Sequence, residues 1–593
     1  MATVNQYFNI GACTSARWID ENHFVFLSTK SGVNQIWEKD LQTGKEEQKT
    51  FFNERVWSLY VNQKNILFTM DFGGNEQEQI YVLEGSEARN LTNNNSARYQ
   101  LGGMKPDGET VVYACNARNP KNFDLCQLNI KTGEQEIILE NTDSYNTPAA
   151  LSPDGKYLLY NKLKAQSDNC LWMLDIENKT AKNIDANAEY AQYTSPTWKH
   201  DNSGFYFLTD KNSEYKYLAY YNLKEDSITK IYEENWDIED IELSSDDKYL
   251  AIKINRNGYS DLEILNTHTN CFENTPSFPK SVMAYYGMSW SSETHRLLLT
   301  LTSGQRPSDI WMLDIDKDKV ERITFTDTGE INKDELVEPQ LSSFKSFDGV
   351  EVPYWIYKGR NSKNSKSVVI EVYGGPEAQE RPMFSPLIQY LVSEGLTVVA
   401  PNVRGSTGYG KKYHHLDDIE KRLDSVHDAA CLAEHLVKEN IADADKIAVM
   451  GASYGGYMTL SCVTRYPNLW AAGIDTVGMS NLETFLENTA DYRRSHRESE
   501  YGSLKEHREI LRNVSPIHHV DDIVAPLMVV HGANDPRVPV GEAEQIVKSL
   551  KDRNIPVEYL LYTDEGHGIA KRKNQFDCYP KVAAFLKKHL KVE

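Results

Sequence analysis

Ser453 stands in Lys446-Ile-Ala-Val-Met-Gly451-Ala-Ser453-Tyr454-Gly455-Gly456-Tyr457, which reads as an apolar strand, a tight turn and then a helix. A serine bracketed by glycines in that setting is a nucleophile elbow. A side chain at Gly451 or Gly455 would collide with the neighbouring strand or helix once the serine is pushed into its exposed turn. The Oγ then stands clear of a sheet, with the backbone N–H of Tyr454 beside it at a helix N-terminus. The competing readings are an ordinary turn and a phosphate-binding loop, and the latter lacks the Lys-Ser/Thr pair that should follow the glycines.

A serine hydroxyl needs an imidazole in hydrogen-bond reach, and the imidazole needs a carboxylate to fix its tautomer. In a sheet of this kind the chain order is Ser, then Asp or Glu, then His, each on a loop after a strand. Asp535, in His531-Gly-Ala-Asn-Asp535-Pro-Arg-Val538, follows the strand ending at Val530, and His567, between Gly566 and Gly568, follows the strand ending at Tyr562. The competitors are Asp475 and Asp564 for the acid and His518, His519 and His531 for the base. His531 comes too early in its loop, His518 and His519 precede the acid, and Asp564 is too near His567 in sequence to sit across from it. The oxyanion of the tetrahedral intermediate needs two donors. The Tyr454 N–H is one, and the loop Val372-Tyr373-Gly374-Gly375-Pro376 after an early strand is where the other should lie.

The elements that must position these residues are legible from about Val337 onward. Ser346 to Pro353 reads as an edge hairpin, followed by near-continuous apolar strands at Val368–Tyr373, Leu396–Ala400, Ile447–Met450, Leu527–Val530 and Val557–Tyr562. Val426, Ala429, Ala430, Leu432, Ala433, Leu436 and Val437 fall at helical spacing and predict a crossover helix. This is the doubly wound, mostly parallel pattern of an α/β-hydrolase, assigned to residues 336–593.

Before it, the chain repeats itself. Lys105-Pro-Asp-Gly recurs as Ser152-Pro-Asp-Gly, Lys199-His-Asp-Asn, Ser244-Ser-Asp-Asp and Ser291-Ser-Glu-Thr, at spacings of 47, 47, 45 and 47. Each copy is a turn followed by a β-branched and aromatic strand. Weaker copies around Trp18-Ile-Asp20 and Tyr60-Val-Asn62 bring the count to seven. Seven four-stranded units predict a β-propeller over roughly residues 12–325, in a gating domain assigned to 1–335; a solenoid is the alternative.

The 593 residues, 40% hydrophobic and 25% charged, describe an ordinary globular protein too long for one core. Lys+Arg 64 against Asp+Glu 86 gives a net charge of -22, which opposes nucleic acid and anionic membrane as partners. The N-terminus lacks a signal-peptide pattern, no apolar run is long enough to span a bilayer, and the eight cysteines show no paired spacing. The expectation is a cytoplasmic protein, compatible with a homo-oligomer.

With these residues in place, the chain resembles the prolyl oligopeptidase family of serine peptidases over nearly its whole length. Gly451 to Tyr457, Asn402-Val-Arg-Gly-Ser-Thr-Gly-Tyr-Gly410, Tyr373 to Pro376 and His531 to Pro539 look most like its acylaminoacyl-peptidase branch. The resemblance implies a peptidase on short peptides with no metal or organic cofactor, whose propeller caps the active site. It assigns the Tyr373 hydroxyl to the oxyanion, gives Arg537 the position that holds a substrate carbonyl, and suggests Met479, Leu482 and Phe485 for the specificity pocket. Glu233-Glu234 are candidates for the pair with which the dipeptidyl-peptidase branch grips a free amino terminus; solvated turn acids are the alternative. Within the same chemistry a carboxylesterase stays open, and outside it an interaction scaffold with an inactive hydrolase half.

Overall fold

The recurring Pro-Asp-Gly stretches are the turns between the first and second strands of propeller blades. At Lys105–Glu109 the Asp107 carboxylate accepts the backbone N–H groups of Glu109 (2.8 Å) and Thr110 (2.9 Å). Gly108 beside it takes φ +68°, a left-handed conformation that favours glycine. In the next blade, the fourth, the Ser152 hydroxyl accepts the Tyr157 N–H at 2.9 Å, and Ser244 does the same for Tyr249 in the sixth. The repeat thus records a polar side chain closing its own hairpin.

The computed structural model describes residues 2–62, 65–143, 145–186, 190–284, 287–359 and 366–592. Strands from Cys13 to Arg322 form seven antiparallel sheets, each of consecutive strands. The seventh has a broken first strand, Val282–Met283 and Ser289–Trp290, both pairing with Arg296–Ser303. Among the described residues no strand is exchanged between the first and last blades, and side chains close the ring. Cys13, Ala16, Trp18, Phe24 and Phe26 pack on Leu298, Ile310 and Met312, and the Trp18 indole donates to the Ser289 carbonyl at 3.0 Å. Trp290 repeats that stitch to the Glu242 carbonyl of the blade before it (3.0 Å).

Eight strands build the second half: β1 Gln340–Lys345, β2 Glu351–Lys358, β3 Val368–Val372, β4 Thr397–Pro401, β5 Ile447–Ala452, β6 Ala472–Thr476, β7 Leu527–Gly532 and β8 Val557–Tyr562. Their order is 1-2-4-3-5-6-7-8. β2 is antiparallel to β1 and β4, and the rest are parallel. Helices α1 (Pro386–Ser393), α2 (Arg422–Lys438), α3 (Tyr454–Arg465), α4 (Leu482–Asn488), α5 (Asp491–Tyr501), α6 (Gly541–Asp552) and α7 (Arg572–His589) surround the sheet. One face is covered by α2, α3 and α6, the other by α1 and α7. On α2 the expected apolar stripe is buried from Val426 to Leu436, while Val437 is exposed.

Residues Val4–Phe8 form a helix that sits on the second half, with Phe8 stacked on Tyr579 (ring centroids 4.0 Å). The same helix bonds back to the end of the propeller segment, Gln6 Nε2 donating to Glu330 and Tyr7 packing with Ile331, so the first residues bridge the two halves. Ion pairs from different blades hold the halves together, among them Glu239–Arg381 (2.9 Å), Asp210–Lys411 (3.2 Å) and Glu54–Lys571 (3.1 Å).

Candidate active site

Ser453 ends the β5–α3 turn with φ 59° and ψ −117°, outside the regions a serine prefers, and its N–H donates to the Thr476 carbonyl at the end of β6 (2.9 Å). Glycines make the turn feasible. A Cβ on Gly451 would run into the backbone of Gly455, one on Gly455 into the Val372 carbonyl, and one on Gly456 into Gly478. Helix α3 is thereby pressed against the ends of β3 and β6, which pushes Ser453 outward.

His567 occupies a loop fixed by the same device. A Cβ on Gly566 would overlap the Gly74 carbonyl of the propeller, and one on Gly532 would overlap the Gly566 carbonyl. Three backbones thus touch beside the imidazole. Glu565, buried, accepts the Lys571 N–H and the Asn574 amide (both 2.8 Å) and ties down the loop's other side.

The His567 Nδ1 lies 2.7 Å from Asp535 Oδ2, an approach that orients the ring with Nε2 outward. The other oxygen, Oδ1, accepts the N–H groups of Arg537 (2.8 Å) and Val538 (3.0 Å). Asp535 is thus a buried carboxylate held by donors on both oxygens. The competing residues take other places. His531 is fully buried and donates from Nε2 to the Val538 carbonyl (2.9 Å), and burial lowers its pKa. Asp475 is fully buried in β6, where burial raises its carboxyl to about 7, opposed by the Gly478 N–H. Asp564 is taken by Lys573 (2.7 Å) and Asn574 (3.0 Å).

Ser453 and His567 line one cavity of about 370 Å³, with Gly374, Met479, Phe485 and Arg537 also in its wall. Gln166 reaches it from the propeller, so the cavity lies between the halves. Leu482 does not share the wall: at the start of α4 it is wholly buried in the core under Met479 and Phe485. The Tyr454 ring points away from the cavity, its hydroxyl donating to Asp417 (3.0 Å) and 2.8 Å from Ser425 Oγ. The Tyr373 hydroxyl lies 2.6 Å from Ser406 Oγ, and it is the adjacent Gly374 that meets Ser453. Glu233 and Glu234 follow the outer strand of their blade, paired with Lys230 and with Arg256 and Tyr232, outside the cavity wall.

Several wall residues were not foreseen. Arg493, Arg497 and Tyr501 come from α5, Val477 follows β6 and Val538 follows Asp535. The signal for the first three was present, because residues four apart fall on one helix face. Behind the wall, Glu76 of the propeller is buried against Arg493 (3.0 Å) and Arg537.

A family model described as "Prolyl oligopeptidase family" matches residues 382–593, and one described as "Prolyl oligopeptidase, N-terminal beta-propeller domain" matches 45–326. "Dipeptidyl peptidase family member 6" of Caenorhabditis elegans is 25% identical over 620 aligned positions, covering 95% of this chain and 82% of its own. "Acylamino-acid-releasing enzyme 1" of Oryza sativa subsp. japonica is 26% identical, over 42% of this chain and 33% of its own. A puromycin-hydrolyzing peptidase of Mycobacterium tuberculosis has the same fold, with a TM-score of 0.88 at 18% identity over 100% of this chain and 96% of its own.

Proposed function

Because the chain belongs to the prolyl oligopeptidase family of serine peptidases, we propose that it hydrolyses short peptides through a covalent acyl-enzyme on Ser453. The observation that supports this most is the meeting of Ser453 and His567 in one cavity, with Asp535 bonded behind the imidazole. Ser453 Oγ attacks the scissile carbonyl as His567 Nε2 takes its proton. The imidazolium, stabilised by Asp535, returns that proton to the leaving amine, and water then repeats the sequence on the ester. The Tyr454 N–H, among the unpaired amides at the start of α3, is one oxyanion donor. The Tyr373 hydroxyl is the other, exchanging its Ser406 partner for the oxyanion. Arg537 holds a substrate carbonyl, and Met479 and Phe485 form the apolar side of the specificity pocket. Enclosure between two halves selects short, unfolded chains and limits water around the ester.

A second reading is the removal of dipeptides from a free amino terminus. It is favoured because the relative that aligns along 95% of this chain carries the dipeptidyl-peptidase name, whereas the acylamino-acid-releasing relative aligns along 42%. Chromogenic acetyl-aminoacyl, free dipeptidyl and internally blocked peptides, offered to wild type and Ser453→Ala, separate the two readings. Cleavage of any of them lost in the variant supports the acyl-enzyme, and the preferred peptide chooses between exopeptidase types. Cleavage that survives Ser453→Ala would overturn the proposal.

A further inference from the structure

Helix α5 brings Arg493, Arg497 and Tyr501 to the wall of the Ser453 cavity, where Arg537 joins them. Three guanidiniums in one small cavity need counter-charge. Glu76 ion-pairs with Arg493 and with Arg537. Among the described residues Arg497 has no carboxylate within ion-pair distance, and the hydrogen bond of its guanidinium is a long one, 3.5 Å to the Gly375 carbonyl. Glu377 acts on it through space, but burial and then the Glu500 charge raise the Glu377 carboxyl to about 7, so at neutral pH it offers part of a charge. Burial, and then the neighbouring Arg493 and Arg537, lower the Arg497 pKa, yet a guanidinium stays protonated.

A cation kept in a partly dry wall without a partner is costly unless something arrives to pair with it. A carboxylate is the group whose two oxygens match a guanidinium fork. We propose that Arg497 is the recognition residue for a substrate carboxylate, so that the enzyme prefers short peptides carrying an acidic side chain or a free C-terminal carboxylate close to the cleaved bond. This rests on reading the cavity as the peptide site. The whole chain, at -22, repels anions. The preference is therefore local to the cavity and acts after encounter, in KM more than in the rate of approach.

The test uses four matched peptides, with Glu or Gln at the residue beside the cleaved bond and a free acid or an amide at the C-terminus. Turnover is measured with wild type, Arg497→Gln and Arg497→Lys. The expected result is a kcat/KM about ten- to a hundredfold higher for one carboxylate-bearing member, carried by KM, with the ratio falling to near one in Arg497→Gln and partly kept in Arg497→Lys. The Glu/Gln arm and the acid/amide arm tell which source of carboxylate is read. Ratios near one in wild type, with Ser453-dependent cleavage intact, would overturn the inference while leaving the peptidase reading in place. If none of the peptides is cleaved, calorimetric binding to Ser453→Ala decides. A carboxylate preference that disappears on adding Arg497→Gln supports the assignment, and equal affinities sink it.

Discussion

Glu76 of the propeller and Arg537 of the hydrolase half form an ion pair across 461 residues of sequence. The backbone N–H of Arg537 donates to Asp535, so one residue links the acid behind His567 to a blade loop. Burial alone would raise the Glu76 carboxyl, but Arg493, Arg537 and Arg98 overcome it and hold the pKa at about 2.

That shift fixes a first prediction. The folded pKa lies below the unfolded value of 4.5, so the stabilisation is fully present above pH 4.5 and is lost as pH falls towards 2. The difference corresponds to about 3 kcal/mol. Glu76→Gln should lower stability by about that much at pH 7, and denaturant unfolding curves of variant and wild type should converge as pH falls towards 2. Activity should also fall, by about tenfold in kcat/KM, because Arg537 is released. A variant equally destabilised at pH 3 and pH 7 would contradict the electrostatic account.

Asp535→Asn tests the orientation of His567. An amide keeps the shape but presents an N–H toward Nδ1, favouring the wrong tautomer. The expected outcome is a loss of about 10⁴ in kcat with a near-wild-type KM, and slow labelling of Ser453 by a fluorophosphonate. Retention of more than a tenth of wild-type kcat would point to a different acid.

Gly566→Ala asks whether backbone contact between the halves positions the base. The added methyl meets the Gly74 carbonyl, backbone that cannot rotate aside, so the His567 loop or the blade loop must move. A displacement of about 1 Å at the imidazole would cost about 10² in kcat. Gly568→Ala, at φ +120° but with open space around its Cβ position, strains the same loop without that clash and should lose less. Equal losses in the two would remove the contact from the explanation.

The parts legible in sequence were those written locally. The elbow glycines, the Pro-Asp-Gly hairpins and the α2 stripe each depend on neighbours within a few residues. The strand order placed Asp535 and His567 on the loops where they were sought. Glu76 was not legible because its partners, Arg493 and Arg537, lie more than 400 residues away and only the closed ring brings them together. Arg493 and Arg497 share a helix face in sequence, but nothing local says that this face looks into the cavity. Leu482 shows the opposite limit: it precedes Phe485 by one turn, yet as the first residue of α4 it points into the core. Strand β6, five residues ending in Asp-Thr, is too short and too weakly apolar to stand out, although its Thr476 carbonyl anchors Ser453.

The proposed second oxyanion donor, Tyr373, gives the last prediction. Burial raises the Tyr373 pKa, so the phenol is a protonated donor across the working pH range, and its hydroxyl rests 2.6 Å from Ser406 Oγ. Ser406 in turn donates to the Val403 carbonyl (2.5 Å), which leaves its oxygen free to accept from the phenol and keeps the ring in one orientation. If the hydroxyl turns to the oxyanion only in the transition state, Tyr373→Phe should lower kcat by about 10² to 10³ with little change in KM. Ser406→Ala, which frees the hydroxyl of its resting partner but leaves it in place, should cost far less. A Tyr373→Phe enzyme within threefold of wild type would instead leave the second donation to backbone N–H groups of the Gly374–Gly375 loop, since Gly374 already lies against Ser453.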